Sequence, residues 1–202
     1  MESLSRSRTL MFLFEQPFEY FEKPWPHILI ANVLPSEAAK HMLNSWPDCL
    51  PYREKGEVYP LKGLPEFGAN YGDPVFDEFE RVNYVERTEE ILKLSAKIFQ
   101  DKRWDDCDLD GLFYKEAKKD YPVLLRDWHI DDLSKKYHGI LYIGSGPQGE
   151  FMLWNKKTDE KKVYEYTHNC FIYWRNTADT FHKFYSSTPS RKTISISADF
   201  KG

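Results

Sequence analysis

Two histidines and one aspartate have the residue types and the spacing of a metal site. His129 and Asp131 are separated by one residue, and side chains at positions i and i+2 of an extended segment point to the same side. One imidazole and one carboxylate can therefore face a single ion. His182 is the candidate third ligand, because two imidazoles and one carboxylate leave coordination positions open, which suits Fe(II). These ligand types favour iron or manganese over thiolate-loving metals. Taken alone, His182 is explained equally well as a loop histidine that binds nothing.

A strand with one polar face follows these residues. Arg191 opens the segment Arg191–Ser197, and strand alternation places one set of side chains on each face. The polar set is Arg191, Thr193, Ser195 and Ser197, and the apolar set is Ile194, Ile196 and Ala198. Hydroxyl groups behind an arginine suit a polar ligand, since an arginine fork can hold a carboxylate through two charge-assisted hydrogen bonds. An edge strand with its polar face in water would carry the same pattern.

Helices and a buried strand are predicted in the first half of the chain. The apolar stretch His27–Leu34 follows two prolines and indicates a strand. A helix is predicted to begin with Ser36 as its N-cap and to end before Pro47. A second helix is predicted over Thr88–Gln100, where apolar residues recur at helical spacing. Between them, Cys49–Asp77 is rich in Pro, Gly and Tyr and predicts a long ordered loop with a functional role, such as a lid.

Short strands dominate the sequence from Leu109 onward. They are predicted at Leu112–Glu116, Val123–Ile130, His138–Ile143, Glu150–Trp154, Lys162–Tyr166, Cys170–Trp174 and Lys192–Phe200. Helices followed by a run of strands predict a mostly β (α+β) fold with packed helices and a jelly-roll core. We expect a single domain over 1–202, in which 1–108 gives helical and strand support and 109–200 forms the jelly roll.

Composition narrows the classes of partner. The formal net charge is −4, which provides no basic field for nucleic acid. The three cysteines have no C-x-x-C spacing, so buried thiols in a reducing compartment are expected. The apolar stretch Thr9–Phe14 is too short to span a bilayer and predicts a first strand or a packed arm. The sequence therefore predicts a cytoplasmic protein with no nucleic-acid or membrane partner, and it carries no pattern for an oligomeric state.

The motifs resemble those of the 2-oxoglutarate/Fe(II) oxygenase superfamily, and most closely its compact prolyl-hydroxylase-like members. The shared features are H-x-D, a distal histidine, and an arginine nine residues later that begins a strand. Three longer segments are also similar to this family, namely Pro24–Pro47, His138–Trp154 and Cys170–His182. One departure is Gln148-Gly149, which stands where the family often has a glycine pair.

The resemblance implies a role for each candidate residue. It implies as catalytic iron ligands His129, Asp131 and His182. Arg191 would hold the C5 carboxylate of 2-oxoglutarate, assisted by Thr193 or Ser195, and Tyr142 would direct its hydroxyl to the same carboxylate. A core tyrosine is an equally good explanation of Tyr142.

The implied activity is that of a 2-oxoglutarate-dependent dioxygenase. O2 and 2-oxoglutarate would be consumed, succinate and CO2 released, and a C–H bond hydroxylated in a small amino-acid-like molecule or in a peptide or protein residue. Two other classes stay open from the residues alone. One is a non-catalytic jelly-roll protein that binds a sugar or an acid, and the other is a cupin-like metal enzyme that does not use 2-oxoglutarate.

Overall fold

The computed structural model describes residues 11–46, 73–102, 105–118, 128–144, 149–165, 167–185 and 190–201. Within these ranges the side chains of residues 110–118, 185, 190 and 191 are not described. Most of the predicted loop Cys49–Asp77 therefore lies outside the described residues.

Three α-helices occur in the described ranges: α1 (Ser36–Asn44), α2 (Pro74–Glu80) and α3 (Thr88–Ile98), with a π-helical segment, Arg81–Glu86, between α2 and α3. The N-cap of α1 is Pro35 rather than the predicted Ser36, and it makes no side-chain capping hydrogen bond. Proline favours an extended backbone and cannot continue a preceding helix, so the helix starts one residue earlier than expected. No helix in these ranges has the length and hydropathy needed to span a bilayer.

Helix α2 corrects the end of the predicted loop. Asp73 is its N-cap, and its Oδ1 accepts hydrogen bonds from the backbone N–H of Val75 at 2.9 Å and of Phe76 at 3.4 Å. Pro74 occupies the first turn, where its missing N–H costs nothing. The helix then buries Phe76 and Phe79. An Asp-Pro start ahead of an apolar stretch is a helix signal, so the loop prediction was wrong from Pro74 onward.

Nine strands lie in the described residues: β1 (Glu19–Phe21), β2 (His27–Ala31), β3 (Cys107–Lys118), β4 (Lys135–Ile143), β5 (Glu150–Asn155), β6 (Glu160–Glu165), β7 (Cys170–Arg175), β8 (Phe181–Tyr185) and β9 (Ser190–Phe200). They form a six-stranded sheet in the order β1-β2-β7-β4-β9-β3 and a three-stranded sheet in the order β6-β5-β8. All neighbouring strands are antiparallel. The predicted mostly β architecture with packed helices is confirmed.

The two faces of the large sheet pack against different parts of the fold. One face belongs to a buried core that it shares with the helices, and this core includes Leu141, Phe171 and Ile194. The opposite face packs on the small sheet through a second core, in which Ile172 and Trp174 meet Phe151 and Leu153 of β5. Burial on both faces explains why β7 is apolar along almost its whole length. A site between the sheets is therefore shielded from both sides.

The N-terminal arm differs from a strand. Met11, Phe12 and Leu13 are buried, and Asn83 fixes them by accepting from the Leu13 N–H at 2.9 Å and donating to the Met11 carbonyl at 2.8 Å. Of the two predicted alternatives, the described part of this stretch is a packed arm. Strand β1, which pairs with β2, was not predicted.

Two cysteines can be placed in this fold. Cys107 and Cys170 are free and buried, as predicted, and Cys49 lies outside the described residues. Burial raises the pKa of Cys170 to about 11 and also raises that of Cys107. Both thiols are therefore protonated and poorly nucleophilic at neutral pH.

Candidate metal centre

His182 lies in a strand, not in a loop. The sequence did not predict β8, where Phe181 faces Trp154 and His182 faces Leu153 across the ladder with β5. On its other side, β8 makes an isolated antiparallel bridge to His129. The backbone N–H of His129 donates to the His182 carbonyl at 3.1 Å, and the N–H of His182 donates to the His129 carbonyl at 2.9 Å. This bridge holds two candidate ligands from distant parts of the chain side by side.

His129 also belongs to a predicted strand, Val123–Ile130, of which only residues 128–130 are described. Residues 123–127 of the predicted strand Val123–Ile130 lie outside the described residues. Among the rest, only His129 pairs with a neighbouring strand.

The three candidate ligands converge. One ligand atom from each of His129, Asp131 and His182 lies within 4.8 Å of the others. His182 Nε2 is 3.7 Å from Asp131 Oδ2, and the two imidazole ring centroids are 4.5 Å apart. His182 Nδ1 lies 3.1 Å from the Thr180 carbonyl. Because a carbonyl only accepts, Nδ1 carries a proton, so that Nε2 is the nitrogen left to bind a metal ion when the ring is neutral.

The chemistry of this donor set fits a metal ion. Asp131 Oδ2 is buried and has no hydrogen-bond partner among the described residues. A buried carboxylate oxygen without a donor is costly unless a cation satisfies it. His182 is only 1 % exposed, and its Nε2 lies 3.7 Å from the same atom. Two imidazole nitrogens and one carboxylate form the set expected of a site that keeps other coordination positions open.

Electrostatics favour the ionised form of Asp131. Burial by itself would raise the pKa of this carboxyl group, but the positive charges of the protonated imidazoles of His138, His182 and His129, together with that of Lys135, outweigh burial. The pKa of Asp131 is lowered to about 2. The carboxylate is therefore charged at neutral pH and available to a cation.

Asn176 holds the segment that carries Asp131. Its Nδ2 donates to the backbone carbonyls of Asp132 at 2.8 Å and Lys135 at 3.0 Å, and more weakly to that of Asp131 at 3.4 Å. Its Oδ1 accepts from the Thr180 hydroxyl at 3.1 Å. One buried amide thus connects both ligand-bearing segments. The sequence offered no signal for it, because the carbonyls it binds are close only in the folded chain.

His138 lies in a predicted strand, where a structural role was the favoured interpretation. It is buried, and its Nδ1 lies 3.9 Å from Asp131 Oδ2. In the ladder between β4 and β9 it stands opposite Ser197. Alternation along β4 puts His138 on the face of Ile140 and Tyr142, toward the small sheet.

The polar face of β9 is buried between the sheets. Thr193, Ser195 and Ser197 are at most 2 % exposed. The edge-strand alternative was wrong, because β9 lies between β4 and β3. Tyr142 stands directly opposite Thr193 and is also buried. The structure therefore places a continuous row of hydroxyl-bearing residues behind the candidate ligands.

Arg191 is placed by its backbone alone. It lies in β9, where it pairs with Ala117 of β3. Its side chain is outside the described residues, so its role stays a prediction from the sequence.

This chain resembles known proteins in its structure but not in its sequence. No protein-family model matches the sequence, and no curated protein matches it. A prolyl-4-hydroxylase from Pseudomonas putida is 10 % identical, with a TM-score of 0.53 over 87 % of this chain and 93 % of that chain. An oxidoreductase of the 2OG-Fe(II) oxygenase family from Burkholderia pseudomallei is 13 % identical, with a TM-score of 0.55 over 86 % of this chain and 84 % of that one.

A third solved structure has the same fold. A prolyl hydroxylase from Trichoplax adhaerens, in complex with a peptide fragment of the hypoxia inducible factor oxygen degradation domain, is 12 % identical. Its TM-score is 0.57 over 86 % of this chain and 83 % of that chain. The resemblance seen in the sequence is confirmed at the level of architecture: the chain has the jelly-roll fold of the 2-oxoglutarate/Fe(II) oxygenases.

Proposed function

We propose that the protein is an Fe(II)- and 2-oxoglutarate-dependent dioxygenase. The observation that carries this proposal is the convergence of His129, Asp131 and His182, whose ligand atoms lie within 4.8 Å of one another. Asp131 lies beside His138, at the Ser197 end of a buried row of hydroxyl-bearing residues between the two sheets. The fold shared with solved oxygenases supports the same reaction class.

The residues that would hold iron are His129, Asp131 and His182. Bound there, Fe(II) would supply the activation of O2 and the oxidising power that a protein side chain lacks. The chain supplies orientation. The β-bridge holds the backbone of His129 beside that of His182, and the hydrogen bond from His182 Nδ1 to the Thr180 carbonyl fixes the tautomer that offers Nε2.

The row of polar residues on β4 and β9 is the proposed cosubstrate pocket. From the pair His138–Ser197 it runs through Ser195 to the pair Tyr142–Thr193. With about 3.4 Å of rise per residue, this row is long enough for a five-carbon dicarboxylate. We propose that the hydroxyls of Tyr142 and Thr193, with the guanidinium of Arg191, bind its C5 carboxylate, and that Ser195 assists.

Aromatic rings exclude water from the closed side of the site. The ring centroids of Trp174, Phe151 and Phe184 lie 5.2, 5.5 and 5.7 Å from that of His182. A dry wall strengthens electrostatic interactions inside the site and limits side reactions with water.

The proposed substrate is a C–H bond in a small amino-acid-like molecule or in a peptide or protein residue, and the proposed reaction is hydroxylation. The Trichoplax neighbour was solved with a peptide fragment, which supports a peptide residue as one of these targets. We also propose that residues 1–202 act as one such domain, and a cytoplasmic location stays a prediction from the sequence.

The test is anaerobic addition of Fe(II) and then 2-oxoglutarate to wild type, His182→Ala and Arg191→Ala. The proposal expects a weak visible charge-transfer band in wild type, no band in His182→Ala, and a band in Arg191→Ala only at much higher 2-oxoglutarate. After O2 is admitted, wild type should release succinate. Iron binding without a band would instead favour the cupin-like alternative, and no iron binding would contradict the metal centre itself.

A further inference from the structure

Two imidazoles approach one oxygen of the Asp131 carboxylate. His182 Nε2 approaches Oδ2 to 3.7 Å, and His138 Nδ1 approaches the same atom to 3.9 Å. His138 does not belong to the group of ligand atoms that all lie within 4.8 Å of one another. It therefore lies near the carboxylate but too far from the other ligand atoms to complete a shared site, which fits a partner of the carboxylate better than a fourth ligand.

The fold fixes the orientation of His138. The β4–β9 ladder shifts register between Lys135 and Tyr137, which is the mark of a β-bulge. Lys136 is the extra residue of the bulge. It is buried, and its Nζ lies 3.2 Å from Asp101 Oδ2. Bulges next to functional sites re-aim side chains. Beyond this bulge, His138 faces the inter-sheet space.

Neighbouring groups hold the imidazole there. The His138 ring lies 4.9 Å from that of Trp174, which in turn lies 5.2 Å from the His182 ring. The His138 side chain is only 6 % exposed and stands opposite Ser197 on β9. Rotation away from Asp131 would run into this packing.

We infer that His138 is a positioning residue of the metal centre, whose Nδ1–H donates to the Asp131 carboxylate and holds it in its metal-binding orientation. This inference rests on the proposed function. The separation of 3.9 Å exceeds an ordinary hydrogen bond by about 1 Å. Rotation about the terminal carboxylate torsion of Asp131, which is soft, covers that gap. Donors that orient a ligating carboxylate typically contribute 10–100-fold in metal affinity.

Three variants separate this role from packing. His138→Phe keeps a ring against Trp174 but has no donor. His138→Asn keeps an N–H donor near the position of Nδ1. His138→Gln carries its amide farther out, near the position of Nε2. His41→Gln is a matched control. His41 lies on α1, away from the site, and its Nε2 is 2.7 Å from Oδ2 of Asp73, the N-cap of α2.

The measurement is the Kd for Co(II), together with the visible Co(II) spectrum and the thermal unfolding of the metal-free protein. We expect His138→Phe and His138→Gln to bind Co(II) about 10-fold or more weakly than wild type. We expect His138→Asn to stay within about 3-fold, and His41→Gln to match wild type. All variants should keep the wild-type ligand-field band positions.

Other outcomes overturn the inference in distinguishable ways. If Phe and Gln variants bind Co(II) as tightly as wild type, His138 does not position the carboxylate. If they shift the Co(II) bands as the loss of a nitrogen ligand does, His138 is a ligand instead. If His138→Phe does not fold, the Co(II) Kd values of His138→Asn and His138→Gln are compared instead, and equal values would contradict the inference. Failure of wild type itself to bind Co(II) would overturn both this inference and the proposed function.

Discussion

His129 and His182 are joined by a pair of backbone hydrogen bonds, so that two side chains from distant parts of the sequence form one rigid unit. Their ring centroids are 4.5 Å apart. Since the backbone makes this connection, the spacing of the two Cα atoms does not depend on any bound ion. The edge of the small sheet thus brings two of the three candidate ligand residues together, and the carboxylate of Asp131 is positioned separately.

Replacing Asn176 by alanine should weaken metal binding. The change leaves the carbonyls of Asp132 and Lys135 without their shared donor and loosens the segment that carries Asp131. We expect a loss of about 1–3 kcal/mol in the free energy of unfolding and about 10-fold in Co(II) affinity. Calorimetric titration and chemical denaturation measure the two effects.

Asn169→Ala is the control for this prediction. Asn169 is also a buried asparagine, and it exchanges two hydrogen bonds with the backbone of Leu34, away from the site. Its φ of 60° adds strain for alanine. This variant should lose at least as much stability but bind Co(II) like wild type. Equal Co(II) affinities in both variants would show that Asn176 has no special role at the metal centre.

Thr193→Val should weaken 2-oxoglutarate binding without affecting metal binding. Valine matches threonine in shape but removes the hydroxyl that stands opposite Tyr142 between the sheets. Loss of one hydrogen bond to a carboxylate corresponds to about 10-fold in Kd. Titration of the Fe(II) protein with 2-oxoglutarate under anaerobic conditions measures it.

Ile194→Val provides the comparison for Thr193, because Ile194 is the next residue of β9 and packs in the core on the helix side. It should cost about 0.5–1.5 kcal/mol of stability and leave the 2-oxoglutarate Kd unchanged. If Thr193→Val binds 2-oxoglutarate as wild type does, Thr193 does not contact the cosubstrate.

Gly139→Ala should destabilise the fold. A Cβ atom at Gly139 would lie 2.5 Å from Tyr173 Cδ2 and 2.6 Å from Phe171 Cζ, both in the buried core. Overpacking of this kind costs about 1–3 kcal/mol. Denaturant unfolding should show the loss, and Phe171→Leu in the same chain should restore part of it. Purely additive losses in the double variant would contradict the proposed clash.

The buried His27 should make stability depend on pH. Burial lowers the pKa of His27 to about 4. Its Nδ1–H donates to the Trp25 carbonyl at 2.7 Å, and Nε2 accepts from the Tyr164 hydroxyl at 2.6 Å. The unfolded chain therefore takes up this proton first as the pH falls. The contribution of neutral His27 to the free energy of unfolding is complete above about pH 6.5. Between about pH 6.5 and 4 it falls by roughly 3 kcal/mol.

His27→Gln should remove that part of the pH dependence. Glutamine does not titrate, and its amide oxygen can still accept from the Tyr164 hydroxyl. The difference in unfolding free energy between wild type and variant, measured from pH 8 to pH 4 in the metal-free protein, should shrink as the pH falls. A constant difference across this range would mean that His27 is not protonated preferentially on unfolding.

The residues of the candidate metal centre could be singled out from the sequence because their chemistry is local. His129 and Asp131 share a face through strand spacing, and the hydroxyls of β9 alternate with isoleucines. The sequence also contained the order of helices and strands that yields two packed sheets, because each element carries its own periodicity. The start of α2 at Asp73-Pro74 was equally local and was overlooked.

Only tertiary structure decided which of these groups meet. The short strand β8 has no strong pattern of its own, and it exists because its backbone pairs with β5 and with His129. The bulge at Lys136 sets which residues of β4 face the site, and Asn176 finds its carbonyl partners across the fold. Residue types and short-range spacing are written in the sequence, whereas pairing between distant segments depends on the free energy of the whole packed chain.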